Sequence, residues 1–411
     1  VEDELREQAA TAEGEEAMAR SEELWETMTL NIGPSHPATH GTLHLVVELE
    51  GEVMKKVTPK IGYLHRGCEK LAENLTYHQF IPYTDRLNYL SPPASNFAYV
   101  VAVEKLLGIE APPRAQYMRV ILAELSRIAD HLVWLGCTGI DLGALTLFLW
   151  TFRMRERIYE IFENVTGQRM HTAWTRIGGM PGDLPDGFKD QVTEFVNTFP
   201  GEVDEYERLV TSNRIWVERN KGIAVVSRED AISYGLTGPP VRGSGVEYDL
   251  RRSRPYSMYP ELDFEIPIGA NGDAYDRFLV RVEEMRQSTQ IVRQAIEKIP
   301  EGPVIVGDYH VAIPPKQAVY NEMEALIYHF KFYMSGIQPP TGEIYEAIEA
   351  PNGELGFYII SHGSGKPYRL KIRSPSFANY SCFPQVMQGG MVSDFVAAMS
   401  SFNIIAGELD R

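Results

Sequence analysis

The sequence predicts an α+β fold, a predominantly helical core with β-strands contributed from both ends of the chain. Three observations point to it. Apolar residues recur at helical spacing through residues 118–132, 141–165 and 273–298. Early on, Leu43, Leu45, Val47 and Leu49 alternate with polar or intermediate neighbours, the period of a half-buried strand. Late in the chain, residues 355–361 and 368–373 return to strand-like composition.

Taken in order, residues 1–27 are an acidic, Ala-rich arm, expected as a solvated helix or a frayed end. No repeat or low-complexity linker divides the rest of the chain, so residues 28–411 are expected to form one domain. Glu50-Gly51-Glu52 turns the first strand into residues 53–61, giving a hairpin with one buried face. Met118, Ile121, Leu122, Leu125, Ile128 and Leu132 mark a helix for which Gly136 is a plausible stop. Residues 141–165 predict a second long helix, so apolar in its first half that burial on every side is expected. A third spans residues 273–298, with Phe278, Val282, Met285 and Val292 facing inward. Helix resumes over residues 391–399, and the Pro and Gly clusters at 178–185, 235–245 and 339–342 predict loops.

Composition narrows the function. The 411 residues carry 39 Lys and Arg against 56 Asp and Glu, a formal charge of −17. Nucleic acid and anionic lipid headgroups both demand a basic face, so neither is an expected partner. Cys68, Cys137 and Cys382 are far apart and form no CxxC pair, which predicts a reducing compartment and no four-thiolate metal site. The longest apolar stretch, residues 142–152, falls well short of the ~20 residues a spanning helix needs. GSGKP at 363–367 lacks the spacing of a phosphate loop, with Pro367 where Ser or Thr would hold magnesium.

Other segments are more pointed. In GPSHPATHG (33–41), His36 and His40 stand four apart, but Pro37 and the glycines make a loop rather than the helical face a metal pair prefers. Solvent-exposed loop histidines are an equally good reading of the motif alone. In IGYLHRGCEKLAEN (61–74), Arg66 has Glu69 and Glu73 within pairing distance along the chain. PYTDRLNYL (82–90) comes next. Taken singly, Tyr89 is an ordinary buried tyrosine and Asp141 a helix N-cap.

These segments stand in series with PPRAQYMRVILAELSRIADHL, DLGAL, TGQRMH, RIGG, GLTGPPVRGSGVEYDLRR, DRFLVRVEEMRQS, KPYRLKIRSPSF and the closing GELDR. In that order they resemble, from about residue 29 to the end, the family of the 49-kDa quinone-site subunit of respiratory complex I. The family is related to the large subunit of nickel–iron hydrogenases, so the resemblance implies a hydrogenase large-subunit-like fold. Those hydrogenases hold their metal with two cysteine pairs. Aligned on Arg86 and on the C-terminal segment, the cysteine positions fall at Asn88, Ser91, Ile405 and Glu408. Asn, Ser, Ile and Glu cannot make a soft thiolate nickel site.

The resemblance therefore implies a subunit of a proton-translocating NADH:quinone oxidoreductase that binds no cofactor itself. Electrons are expected from a [4Fe–4S] cluster in an adjacent small subunit, with quinone as the substrate. By motif, His40 and Tyr89 are the expected headgroup contacts, Asp141 the partner of His40, and Arg66 and His171 face the neighbouring cluster. Expected partners are the small [4Fe–4S] subunit, a bracing hydrophilic subunit, an eight-iron ferredoxin-like subunit and a multi-spanning membrane subunit. The implied location is peripheral, on the cytoplasmic face of the bacterial cell membrane. An equivalent subunit of a ferredoxin- or F420-driven oxidoreductase, and a non-catalytic scaffold, remain open. Asn88 departs from the family, many of whose members carry Asp there; Cys68 and His362 depart too.

Overall fold

The computed structural model describes residues 27–39 and 41–411, in which two antiparallel three-stranded sheets accompany a bundle of long helices. The expected N-terminal arm lies, but for Thr27, outside the described residues. Strands β1 (Met28–Ile32), β2 (His44–Glu50) and β3 (Val53–Lys60) lie side by side in chain order across the first sheet. Leu45, Val47 and Leu49 are buried on one face of β2, as their alternation predicts. Gly51 makes the tight turn into β3 with a positive φ of 61° that suits glycine. β1 was not foreseen.

The bundle comprises α1 (Tyr77–Thr84), α2 (Pro92–Leu107), α3 (Pro113–Asp141), α4 (Leu145–Thr166), α5 (Phe188–Thr211) and α6 (Ala274–Lys298). Asp273 caps α6 by accepting the Asp276 N–H at 2.8 Å. The second sheet, β4 (Gly342–Ala350), β5 (Gly353–Ser361) and β6 (Arg369–Arg373), shares the bundle's apolar core. The first sheet forms a separate core with the C-terminal helices α7 (Phe395–Phe402) and α8 (Ala406–Asp410). Among the described residues no helix is long and apolar enough to cross a membrane.

Four expectations need correction. Gly136 does not stop its helix: α3 runs on to Asp141, and the glycine instead admits α4. A Cβ there would lie 2.6 Å from Thr151 Oγ1 and 3.3 Å from the Phe148 Cα. Asp141 accordingly ends α3 rather than capping α4. Nor is α4 buried all round, because Leu145 and Leu149 are each 60% exposed. A short helix, Pro239–Gly243, lies inside the expected 235–245 loop. β4 was missed because GEIYEAIEA is rich in helix-favouring Glu and Ala; pairing with β5 along its whole length overrides that preference.

The bundle encloses an ionic cluster. Arg127, Arg242 and Arg251 meet Glu124, Asp249, Glu284 and Glu349, all fully or almost fully buried. Arg242 donates from Nη1 to Glu349 (2.8 Å) and from Nε to Glu284 (3.0 Å), while Arg251 Nη2 reaches Asp249 at 2.7 Å. Glu284 also contacts His131 Nε2 at 2.8 Å, which ties α6 to α3 one residue beyond Asp130. Burial and the neighbouring Asp249 push the Glu349 carboxyl up. Asp249 is held low, at about 2, by Arg251 and Arg242 against the cost of its burial. Three cations thus face four acids, of which Glu349 is the one whose proton affinity is raised.

Candidate functional site

Tyr89 sits in the turn joining α1 to α2. Asn88 shapes that turn by accepting the Leu90 N–H at 3.1 Å, and its Nδ2 donates to Asp130 Oδ2 on α3 at 2.8 Å. The other oxygen of Asp130 accepts from Asn403 Nδ2 at 2.8 Å. Asn403 ends α7 in the left-handed region, with φ of 52°, a conformation that asparagine tolerates better than most residues. Trp134, one turn beyond Asp130, donates its indole N–H to the Ser400 carbonyl at 2.6 Å. Trp134, Cys137 and Asp141 succeed one another at helical spacing on one face of α3.

These elements enclose a hollow of about 150 Å³ lined by Tyr89, Trp134, Cys137, Asp141, Asn403 and Ile405 among others. A cavity of that volume can take one six-membered ring. Burial is the main cause that raises the Tyr89 phenol above its ordinary value, and the carboxyl groups of Asp130 and Glu408 add to it, so the hydroxyl keeps its proton. Burial likewise raises Asp141, with His36 opposing. The hollow therefore presents a proton-bearing phenol and a carboxyl at sites 52 residues apart in sequence, the difference between positions 89 and 141.

His40 lies outside the described residues. The turn Pro37–Thr39 before it packs against α7, the helix whose last residues reach the hollow. Arg66 does not pair with Glu69 or Glu73. Its Nη2 donates to the carbonyls of Arg86 (2.8 Å) and Gly407 (2.7 Å), while those two glutamates engage Arg369, Lys70 and Lys371. The half-buried His171 has its proton affinity lowered by burial and then by Arg86, and its Nδ1 has no partner. Arg66 and His171 thus both adjoin Arg86, three residues before Tyr89, and neither lines the hollow.

A larger hollow of about 740 Å³ lies beside Arg176, Tyr309 and Phe332. Of the motif residues that are described, Arg66, Tyr89, Asp141 and His171, none lines it. Among the described residues no group of three or more His, Cys, Asp and Glu is placed to hold a metal ion. Sequence reasoning did not find Asp130 or Asn403. A buried Asp inside a long amphipathic helix was the one available signal for the first, and Asn403 gave none.

The family described as "Respiratory-chain NADH dehydrogenase, 49 Kd subunit" matches residues 141–411. A protein of Geotalea uraniireducens, named as the D subunit of NADH-quinone oxidoreductase, is 53% identical over 386 residues, covering 94% of this chain and 99% of that one. The protein of the same name from Geobacter sulfurreducens is 52% identical over 386 residues, 94% and 99% of the two chains. That of Methylacidiphilum infernorum is 52% identical over 401 residues, 96% of each. With a match of this length and identity, the chain belongs to the family of the 49-kDa subunit of respiratory-chain NADH dehydrogenase.

Proposed function

We propose that this chain is the quinone-site subunit of a proton-translocating NADH:quinone oxidoreductase, with residues 28–411 acting as one quinone-site domain. The observation that carries the reading is the hollow in which Tyr89 and Asp141 meet, sized for a single ring and otherwise largely apolar. A ring-sized apolar slot with a few polar groups at its edge is what a hydrophobic headgroup with two carbonyls requires. The relatives' name, which specifies an NADH-quinone oxidoreductase, favours NADH over ferredoxin or F420 as the donor to the whole complex.

Quinone reduction takes two electrons and two protons, and negative charge builds on the carbonyl oxygens as the electrons arrive. Tyr89 donates its hydroxyl proton to one carbonyl, which its raised proton affinity permits because the group is never ionised beforehand. His40 donates to the other, held in orientation by Asp141. Arg66, whose hydrogen bonds hold the C-terminal segment against the Arg86–Leu87 backbone, places a cation near the neighbouring subunit's cluster and favours the reduced state. The exposed Ile140, Leu145 and Leu149, next to Asp141, suit docking on a membrane subunit that delivers a lipid-soluble substrate on the cytoplasmic face. The cluster-bearing small subunit, the bracing subunit and the eight-iron subunit complete the assembly.

Asp141→Asn tests the reading. With NADH:quinone and NADH:ferricyanide activities measured in the same membranes, the first should fall roughly tenfold or more while the second holds, since only the imidazole's support is lost. His40→Ala should act on the same step. Equal activities in Asp141→Asn and the parent would remove this carboxyl from the site.

His171 gives a separate expectation. Its imidazole is kept neutral by burial and by Arg86, so it can take a proton when the nearby cluster gains an electron. His171→Met should flatten the pH dependence of that cluster's midpoint potential. Redox titrations at several pH values that give the parent slope would make His171 a packing residue.

A further inference from the structure

Glu408 is completely buried on α8, at one of the positions where the related hydrogenases place a metal-binding cysteine. Its Oε1 accepts the Ser376 N–H at 3.2 Å and also the Ser376 hydroxyl. Its Oε2 is buried with no hydrogen-bond partner. The Asn352 Nδ2 is orphaned in the same way, and that amide bears on the Glu408 carboxyl. Asn352 is in turn joined through its Oδ1 to Asn403, on the wall of the hollow, at 2.8 Å. The Asn352 amide favours the ionised form of this carboxyl, and among the described residues no cation is paired with it, so Glu408 is not a member of a structural ion pair.

The same segment touches Tyr89. A Cβ on Gly407 would come within 3.2 Å of Tyr89 Cδ1 and 2.7 Å of the Leu87 carbonyl, so only glycine lets the start of α8 lie so close to the phenol's ring. Arg66 fastens this contact through the Gly407 and Arg86 carbonyls. We propose that Glu408 is the buried proton store that resupplies Tyr89 after the phenol has protonated the quinone. The inference rests on the quinone-site reading above.

The groups facing Glu408 set its behaviour. Asp130 approaches from α3, Tyr89 from the α1–α2 turn, Asn352 from the β4–β5 turn, and Ser376 from the helix Pro375–Tyr380. Asp410, on α8 itself, turns its carboxylate to the Gly62 and Leu64 N–H groups. The nearby cation Arg66 spends its hydrogen bonds on backbone carbonyls. Burial, with Asp130 adding to it, lifts the carboxyl to about 7. A group near neutrality both gives and regains a proton readily.

The step balances without added redox partners. As electrons reach the quinone from the neighbouring subunit, the Tyr89 O–H bond breaks and a quinone O–H bond forms. The phenolate then takes the Glu408 proton: that O–H bond breaks and the tyrosine O–H is restored. The carboxylate left behind is reprotonated from solvent. Without the store, a phenolate near the Asp130 carboxylate would wait for a bulk proton in a low-dielectric site.

Glu408→Gln in the intact membrane complex provides the test. Glutamine still accepts from Ser376 but cannot ionise. NADH:ferricyanide activity should hold, while NADH:quinone activity should fall roughly tenfold and decline further from about pH 6 to about pH 8, bulk protons being the sole supply. Glu408→Asp should restore much of the rate and the parent pH profile. A parent-like rate and pH profile in Glu408→Gln would overturn the proposal. Should Tyr89→Phe abolish quinone reduction in the same assay while Glu408→Gln is normal, the store alone fails; a normal Tyr89→Phe removes the quinone-site reading itself. If Glu408→Gln does not assemble, redox-triggered infrared difference spectra of the parent complex decide. A protonated-carboxyl band that changes on quinone reduction supports the store, and no change there refutes it.

Discussion

In Tyr89→Phe, quinone reduction should fall by about a hundredfold or more, the loss expected when a donor aimed at developing charge is removed. The ring and its packing against Gly407 stay, because only the hydroxyl is deleted. A neutral hydrogen bond contributes about 0.5–1.5 kcal/mol net to a ground state, so folding and assembly should survive. Upstream chemistry should survive too: NADH:ferricyanide activity and reduction of the clusters do not pass through Tyr89. The discriminating quantity is therefore the ratio of NADH:quinone to NADH:ferricyanide activity in one membrane preparation. A ratio near the parent's would take this residue out of the mechanism and favour a scaffold role for the chain.

Much of the fold is legible in the sequence because local pattern and global packing agree. The β2–β3 hairpin is announced by alternation and α6 by helical spacing. Where they disagree, tertiary contact wins. Gly136 reads as a helix stop until the nearness of Thr151 and Phe148 shows that a small residue is needed mid-helix. β4 reads as helix-former composition until β5 pairs with it. The site divides in the same way. Tyr89 and Asp141 emerge from ordered motifs, and the hollow they share emerges only from the fold. Asp130 and Asn403 could not be found by spacing, since they are brought together from α3 and the end of α7. Arg66 shows the reverse error: two glutamates close in sequence suggested an ion pair, yet the guanidinium serves backbone carbonyls contributed by distant segments.

Arg242→Met should be the most destabilising of these substitutions. The guanidinium is fully buried and donates to Glu284, to Glu349 and to the Tyr248 carbonyl (3.0 Å), with Asp249 3.5 Å away. Methionine fills part of the volume but satisfies none of these oxygens. Three cations facing four acids would become two cations facing the same acids. Removing one partner of a buried ion pair costs about 3–5 kcal/mol because the remaining charge is left uncompensated. The acids could relieve this by taking up a proton, so the loss should shrink as pH falls. Glu284, held well below the usual carboxylate range chiefly by Arg242 against the cost of burial, would lose its main counter-charge and bind a proton in the folded state at a higher pH than in the parent. The expected result is a urea midpoint well below the parent's at neutral pH, with the gap narrowing toward acid. Replacing Glu284 by Gln in the same chain should recover part of the loss, since it removes one stranded charge. A stability within about 1 kcal/mol of the parent's at neutral pH would mean that water or rearrangement compensates the cluster, and that its arginine is dispensable to the frame that positions Asp130 and Asp141.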